Sequence, residues 1–253
     1  MTDSTLRFSS RVENYVKYRP HYPQAIIETL QEECQLPSSA LIADIGSGTG
    51  LLTELLLING NQVFAVEPNR EMRVAAERIL QNHPGFHSIT GRAEATTLGD
   101  QSIDFIVAGQ AFHWFDRQKA RSEFLRILKP TGWAMLVWNE REIIATPFMK
   151  AYDQFLQRYA TDYTQMNHKQ VDEAALSGFY GVSGFKSKTF GNRQDFDYAG
   201  VLGRLLSSSY APELGCPDYE PMIDELAKIF QAHEVNNLVG FEYTTRIYYG
   251  HLH

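Results

Sequence analysis

Three glycines at alternate positions, Gly46, Gly48 and Gly50, lie between a short apolar run and a leucine-rich run. Glycine has no side chain, so a ligand can approach the main chain closely at such a turn, next to the first amides of a helix. Asp44 stands just before the turn, where a carboxylate repels a phosphate and attracts positive charge. The stretch predicts a site for a cationic ligand; the alternative is a tight turn that is glycine-rich for structural reasons alone.

A second carboxylate, Glu67, follows at the end of the next predicted strand. An acid about 20 residues after the first glycine of such a turn accepts ribose hydroxyls in nucleotide-binding sheets. The third glycine of a dinucleotide-binding turn would fall at position 51, which is Leu51. The pattern therefore predicts a nucleoside ligand that is not a dinucleotide, the alternative for Glu67 being a solvated acid.

Alternating strand and helix patterns predict an α/β domain that brings these residues to one edge of a parallel sheet. The predicted strands cover residues 40–44, 62–67, 86–90, 103–108 and 133–139. The clearest helix is capped by Asn69 and is expected to bury Met72, Ala75, Ala76, Ile79 and Leu80. A later helix opens at Asp116, and Lys129–Pro130 is expected to close it before the fifth strand.

The alternation of strand and helix patterns ends after residue 139, and mainly helical patterns follow. Strands are expected at 184–191 and 238–250, and further helices near 197–207 and 221–234. We expect the helices of this half to form a lid over the ligand site.

Composition narrows the classes of partner. The chain has 253 residues and a net charge of -7, and without a run of basic residues it is not expected to bind nucleic acid or an anionic membrane. Cys34 and Cys216 are far apart, which predicts neither a disulfide nor a metal site. With no signal peptide or long apolar segment in the sequence, the expected location is cytoplasmic. The protein is expected to be a monomer or a homodimer.

Four segments, in order along the chain, resemble the motifs of the class I S-adenosylmethionine-dependent methyltransferases, within them the methyltransferase type 11 group. They are ADIGSGTG, VFAVEPNREM, GRAEATTLGDQSIDFIVAGQAFHWF and LRILKPTGWAMLVWN. The opening VENYVKYRPHYP is similar to the branch that includes trans-aconitate methyltransferases. The resemblance implies a Rossmann-like, doubly wound, mostly parallel seven-stranded sheet with an antiparallel C-terminal strand, an inserted helical lid, and S-adenosylmethionine as cofactor.

The resemblance also implies cofactor contacts, with methionine at the glycine turn, ribose on Glu67 and adenine beside Ala93 and Glu94. Many relatives carry an acid where this chain has Arg92, so the adenine contact is expected to rest on the Ala93 amide and the Glu94 carboxylate. The expected cofactor-binding residues are Tyr18, Arg19, Asp44, Gly46, Ser47, Gly48, Gly50, Glu67, Pro68, Met72, Ala93, Glu94, Gln110 and Trp114.

Methyl transfer from a sulfonium has a good leaving group, so the protein mainly aligns the reactants. His113 follows the fourth strand and is the catalytic candidate, as a base only if the acceptor must lose a proton. Its alternative is to orient a loop or bind substrate. Trp114, with Tyr15 or Tyr18, is expected to face the sulfonium through cation–π contact, packing being the alternative for Trp114.

Arg141, Arg204 and Arg246 are candidates for binding an acidic acceptor, the alternative for each being a solvated charge. A small carboxylic acid is the expected acceptor by analogy with the trans-aconitate branch. Two other functions stay open, a non-catalytic S-adenosylmethionine-binding regulatory module and a nicotinamide-dependent oxidoreductase.

The expected organisation is a single domain spanning residues 1–253. It divides into an N-terminal cap at 8–34, a cofactor-binding core at about 36–139 with strands at about 184–191 and 238–250, and lid segments at about 140–180 and 195–235.

Overall fold

The computed structural model of the chain describes residues 12–160, 172–208, 211–212 and 214–252. The expected cap and the first expected lid segment extend into residues 8–11 and 161–171, which lie outside the described residues.

The centre of the fold is a seven-stranded sheet in the order β3-β2-β1-β4-β5-β7-β6. Its strands are β1 Leu41–Ile45, β2 Gln62–Val66, β3 Phe86–Ile89, β4 Ile103–Gly109, β5 Leu128–Arg141, β6 Lys186–Phe196 and β7 Val239–Gly250. The first five strands are mutually parallel, and β7 runs antiparallel to both β5 and β6. The order reverses between β1 and β4, and the crevice at such a reversal is where open α/β sheets bind ligands.

Helices cover the two faces of the sheet and extend beyond one edge. They are α1 Val12–Tyr18, α2 Ala25–Cys34, α3 Leu51–Ile58, α4 Arg70–Leu80, α5 Arg117–Ile127, α6 Pro147–Tyr159, α7 Glu173–Tyr180, α8 Tyr198–Leu206 and α9 Tyr219–His233. The doubly wound, mostly parallel sheet with an antiparallel C-terminal strand is confirmed. Within the described part of the chain, no helix combines the length and apolar character needed to cross a membrane.

The start of β5 differs from the sequence-based expectation. Lys129–Pro130 does not separate helix from strand, because β5 already pairs with β4 at Leu128. The pairing is irregular between Ile103 and Phe105, where four residues of β5 lie opposite Asp104. Such a bulge accommodates proline, which has no amide hydrogen to donate to a ladder.

Helix α4 is capped as expected, since the Asn69 side chain accepts a hydrogen bond from the Met72 amide at 2.9 Å. Four of its five expected core residues are buried, but Ile79 is 36% exposed. Val12 of α1 packs on Met72 and Ala75, which come before Ile79 in the helix.

The lid has an apolar core of its own. Helices α6, α8 and α9 pack with the first half of β7 around a cluster that includes Tyr152, Val201, Leu226 and Phe241. Helix α7, although within the expected lid segment, packs instead on the main sheet through Phe179 and its neighbours. The lid therefore packs on the first half of β7, which lies beside the carboxyl end of β5.

Candidate active site

The glycine turn follows β1 at the crevice between β1 and β4. Gly46, Gly48 and Gly50 all have positive φ angles, of 72°, 58° and 90°, a region that other residues adopt at a cost. A Cβ atom at Gly46 would lie 2.7 Å from the Ala111 side chain, whereas one at Gly48 would meet nothing within 4 Å. Packing therefore requires glycine at 46, and open space borders the chain at 48.

The amides of the turn already have partners within the protein. Gly46 and Ser47 donate to the Val66 carbonyl oxygen at 2.8 and 3.2 Å, and Gly50 donates to the Ser47 carbonyl oxygen. Gly48 donates to Glu67. The glycines thus provide close approach for a ligand, and these amides are used to hold the shape of the turn.

Asp44 is fully buried at the end of β1. Thr53 donates its hydroxyl to Asp44 Oδ2 at 2.6 Å, while Oδ1 is buried and accepts no hydrogen bond from the described residues. Burial raises the pKa of Asp44 to about 7, and the nearby Glu67 charge adds to this, against the Thr53 hydrogen bond. A buried acceptor of this kind is stabilised by a cationic ligand.

Glu67 lies at the end of β2 and is 7% exposed. Its two carboxylate oxygens accept the amides of Asn69 at 2.8 Å and Gly48 at 2.9 Å. Burial raises the pKa of Glu67 despite these hydrogen bonds. A carboxylate has about four acceptor positions, so two stay available for hydroxyl groups.

The loop expected beside adenine lies between β3 and β4. Ala93 is buried, and the Glu94 carboxylate accepts the amide of Asp116 at 2.8 Å. Met72 packs in the small cluster with Val12, which matches the ordinary core role considered for it, and Pro68 is half-buried.

The residues expected on the reacting side follow β4. Gln110 has a positive φ of 54° and donates its side-chain amide to the Asn139 carbonyl oxygen at 3.1 Å. His113 and Trp114 lie on one 3₁₀ turn, both half-buried, with ring centroids 4.9 Å apart. The structure thus brings the three to the carboxyl end of β4.

The N-terminal segment joins the lid to the sheet. Arg19 donates to the Ser207 carbonyl oxygen at 3.1 Å and lies over the Tyr15 ring at 4.8 Å. The Tyr18 ring packs against Phe196 and the backbone of Gly203 in α8. Tyr18 and Arg19, expected at the cofactor, thus also link the cap to the lid.

The three candidate arginines separate into two groups. Arg141 pairs with Asp153 at 3.6 Å, and Arg204 donates to the Tyr243 hydroxyl at 3.3 Å. Arg246 instead forms a half-exposed pair with Glu140 at 3.5 Å. Alternation along β7 directs Arg246 and Tyr243 to opposite faces of the sheet, so Arg246 does not join the other two.

Sequence reasoning missed two polar contributors. Asn139, buried at the end of β5, donates to the carbonyl oxygens of Pro20 and His21, at 3.3 Å in each case. Tyr22 follows directly, and its hydroxyl lies beside Gly109 at the end of β4. Two features of the sequence could have identified these residues: Asn139 lies at the end of a predicted strand, and Tyr22 is the second tyrosine of YRPHYP. No group of three or more His, Cys, Asp or Glu among the described residues is placed to hold a metal ion.

Comparison with known proteins gives concordant results. A family profile described as a methyltransferase domain matches residues 43–136. An uncharacterised methyltransferase of Schizosaccharomyces pombe is 28% identical over 95% of each chain, and one of Mycobacterium bovis is 39% identical over 55% of each chain. This chain therefore spans about half the length of the latter relative.

A solved structure from Anaeromyxobacter dehalogenans, described as a type II methyltransferase, shares the fold. Its TM-score is 0.66 at 21% identity, covering 93% of this chain and 98% of that one. The profile match contains the glycine turn and Glu67, from which the sequence prediction started, and His113.

Proposed function

We propose that the acceptor of this chain, a class I S-adenosylmethionine-dependent methyltransferase, is a small molecule bearing a carboxylate, bound under the lid. The methyltransferase assignment replaces the nicotinamide-dependent oxidoreductase considered from the sequence. The acceptor proposal is our own and rests on Arg204, which is buried, and Arg141, which is mostly buried.

The site fits the cofactor on two observations. The unpartnered Asp44 Oδ1 suits a cationic methionine end, and the open space at Gly48 admits a ligand next to the main chain. We assign the methionine end to Asp44, Gly46, Ser47, Gly48 and Gly50, ribose to Glu67 and Pro68, adenine to Met72, Ala93 and Glu94, and the reacting side to Tyr18, Arg19, Gln110 and Trp114.

S-adenosylmethionine supplies an activated methyl group on a positively charged sulfur. The protein has to hold the acceptor in line with that group and exclude water, and alignment of this kind contributes roughly 7–11 kcal/mol in favourable cases. An ionised carboxylate oxygen has no proton to lose, so this acceptor needs no general base. In this proposal His113 contacts and orients the acceptor.

The arginine pair carries the acceptor proposal. Arg141 ends β5 directly opposite Tyr243 of β7, and Arg204 reaches the hydroxyl of the same Tyr243 from the lid helix α8. The Arg141 side chain is 13% exposed and Arg204 is 6% exposed. One cation therefore contacts Tyr243 and the other lies opposite it in the sheet, in a place with little solvent.

Both arginines are largely removed from solvent. Asp153 is paired with Arg141 at 3.6 Å, and Arg204 donates to the Tyr243 hydroxyl at 3.3 Å. Since a buried guanidinium is stabilised by a charge-assisted bond to a carboxylate, an acidic acceptor complements the site better than a neutral or cationic one.

The test is a methylation assay with radiolabelled S-adenosylmethionine on small carboxylic acids and their neutral amides. We expect product from the acids only. Arg204→Gln should raise KM for the acid about 10–100-fold, because a hydrogen bond to a charged group is worth about 1.5–3 kcal/mol. Arg246→Gln, which removes a cation on the opposite face, is the matched control and should leave KM unchanged.

Two controls distinguish a loss of acceptor binding from a structural effect. Arg204→Lys keeps the charge and should retain part of the affinity, and thermal melting shows whether each variant is folded. Methylation of amides as readily as acids, or an Arg204→Gln variant with the KM of the wild type, contradicts the proposed acceptor class.

A further inference from the structure

Tyr22 lies at the mouth of the crevice between β1 and β4. A Cβ atom on Gly109, the last residue of β4, would come 2.5 Å from the Tyr22 hydroxyl oxygen and 3.3 Å from Leu52. The Tyr22 hydroxyl therefore occupies the space directly over the end of β4, and glycine at 109 permits that approach.

The surroundings of the Tyr22 hydroxyl are charged. Burial raises its pKa well above the ordinary value, with the charges of Tyr15 and Asp44 adding to the shift and Arg19 opposing it. The hydroxyl thus stays protonated across the physiological range. It is also within electrostatic reach of the carboxylate that we assign to the cationic end of the cofactor.

The main chain before Tyr22 is held in place by three side chains from the sheet. Asn139 and Asn192 both donate to the His21 carbonyl oxygen, at 3.3 and 2.7 Å, and Gln194 donates to the Arg19 carbonyl oxygen at 3.3 Å. Thr245 in turn donates to Asn139 Oδ1. These bonds fix the approach of Tyr22 to the crevice without using its hydroxyl.

The Tyr22 ring packs against the core cluster beneath α2 and α3, which accounts for the ring but not for the hydroxyl. Among the described residues the hydroxyl has no hydrogen-bond partner, although the other tyrosine of this cluster, Tyr249, uses its own. Tyr249 donates to Glu33 at 2.8 Å. A positioned hydroxyl with no hydrogen-bond partner in the described part of the chain, at the mouth of a ligand crevice, is directed to the ligand.

We propose that Tyr22 is a further cofactor-contacting residue, whose hydroxyl oxygen faces the positively charged sulfur of S-adenosylmethionine. The oxygen lone pairs favour that charge, and the contact weakens once the methyl group has left and the sulfur is neutral. The inference rests on the cofactor assignment made above and is independent of the acceptor.

The test uses the full chain and titration calorimetry with two ligands, S-adenosylmethionine and S-adenosylhomocysteine. Tyr22→Phe keeps the ring and removes the hydroxyl. We expect the Kd for S-adenosylmethionine to rise about fivefold, the Kd for S-adenosylhomocysteine to change less than twofold, and the melting temperature of the ligand-free protein to stay the same.

Tyr249→Phe is the matched control, because it removes a hydroxyl from the same core at the far end of the sheet. It should change neither Kd. A Tyr22→Phe variant with the wild-type ratio of the two Kd values overturns the inference and leaves the methyltransferase assignment intact. Wild-type protein that binds neither ligand overturns the cofactor assignment itself.

Discussion

The two buried carboxylates at the crevice decide what kind of ligand it accepts. Asp44 and Glu67 are 0% and 7% exposed, and each has a raised pKa because burial disfavours the charged form. Glu67 is compensated by two backbone amides, whereas Asp44 is compensated by Thr53 alone and one of its oxygens accepts no hydrogen bond from the described residues. Asp44 is therefore the carboxylate that lacks more of its hydrogen bonds, and its ionisation should be linked to cofactor binding.

The first prediction concerns the pH dependence of that binding. The pKa of Asp44 is raised to about 7, so in the ligand-free protein it takes up a proton below that pH, and a cationic ligand favours the ionised form. The affinity for S-adenosylmethionine should rise as pH increases through about 7 and level off above it. Calorimetry from pH 6 to pH 8 measures this dependence.

Asp44→Asn should flatten that profile, because asparagine keeps an acceptor for Thr53 but does not titrate. Thr53→Val is the complementary variant, since it removes a hydrogen bond that lowers the Asp44 pKa and should move the inflection to higher pH. If the pH profile of Asp44→Asn is as steep as that of the wild type, a group other than Asp44 causes the pH dependence.

At the scale of elements, one side chain links the expected adenine loop to α5. Glu123 accepts the amide and hydroxyl of buried Thr96 at 2.8 and 2.6 Å and two bonds from Arg126. The Arg126 pairing, with the Thr96 bonds, lowers the pKa of Glu123 to about 2. This link positions the loop that carries Ala93 and Glu94.

Glu123→Ala should lower the free energy of unfolding by about 1–3 kcal/mol at pH 7, because the buried Thr96 amide loses its acceptor. A carboxylate with a lowered pKa stabilises the fold above its ordinary pKa of 4.5 and loses that contribution as pH falls towards 2. The difference between variant and wild type should therefore shrink at pH 3, as measured by urea unfolding.

Asp100→Ala is the control, since Asp100 pairs with the same Arg126 but is 77% exposed at its side chain, and exposed pairs contribute little. A loss of stability in Asp100→Ala equal to that in Glu123→Ala means that Arg126, and not the Thr96 link, is responsible.

Periodicity predicted the elements of the parallel sheet because each pattern there is dictated locally. The cap of α4 and the positions of β1 and β2 follow from Asn69 and two apolar runs. The exposure of Ile79 and the early start of β5 at Leu128 depend on what packs alongside, in α1 and β4. Neighbours of that kind are distant in sequence and leave no periodic signal.

Across the whole molecule, cap, sheet and lid meet around the same crevice. Arg19 joins the cap to α8, Asn139 joins β5 to the cap, and Arg204 joins α8 to β7. The glycine turn and Glu67 could be predicted because their spacing is local. The closeness of Tyr22 to Gly109, and of Arg204 to Tyr243, arises only when segments far apart in the sequence fold together.

The most direct measurement is equilibrium dialysis of the wild-type protein and Glu67→Ala with radiolabelled S-adenosylmethionine, alongside NADH. We predict that the wild type binds S-adenosylmethionine and not NADH, and that Glu67→Ala weakens binding by about 1–3 kcal/mol through lost charge-assisted hydrogen bonds. Binding of NADH in preference, or S-adenosylmethionine binding that is unchanged in Glu67→Ala, would contradict a cofactor held between the glycine turn and Glu67.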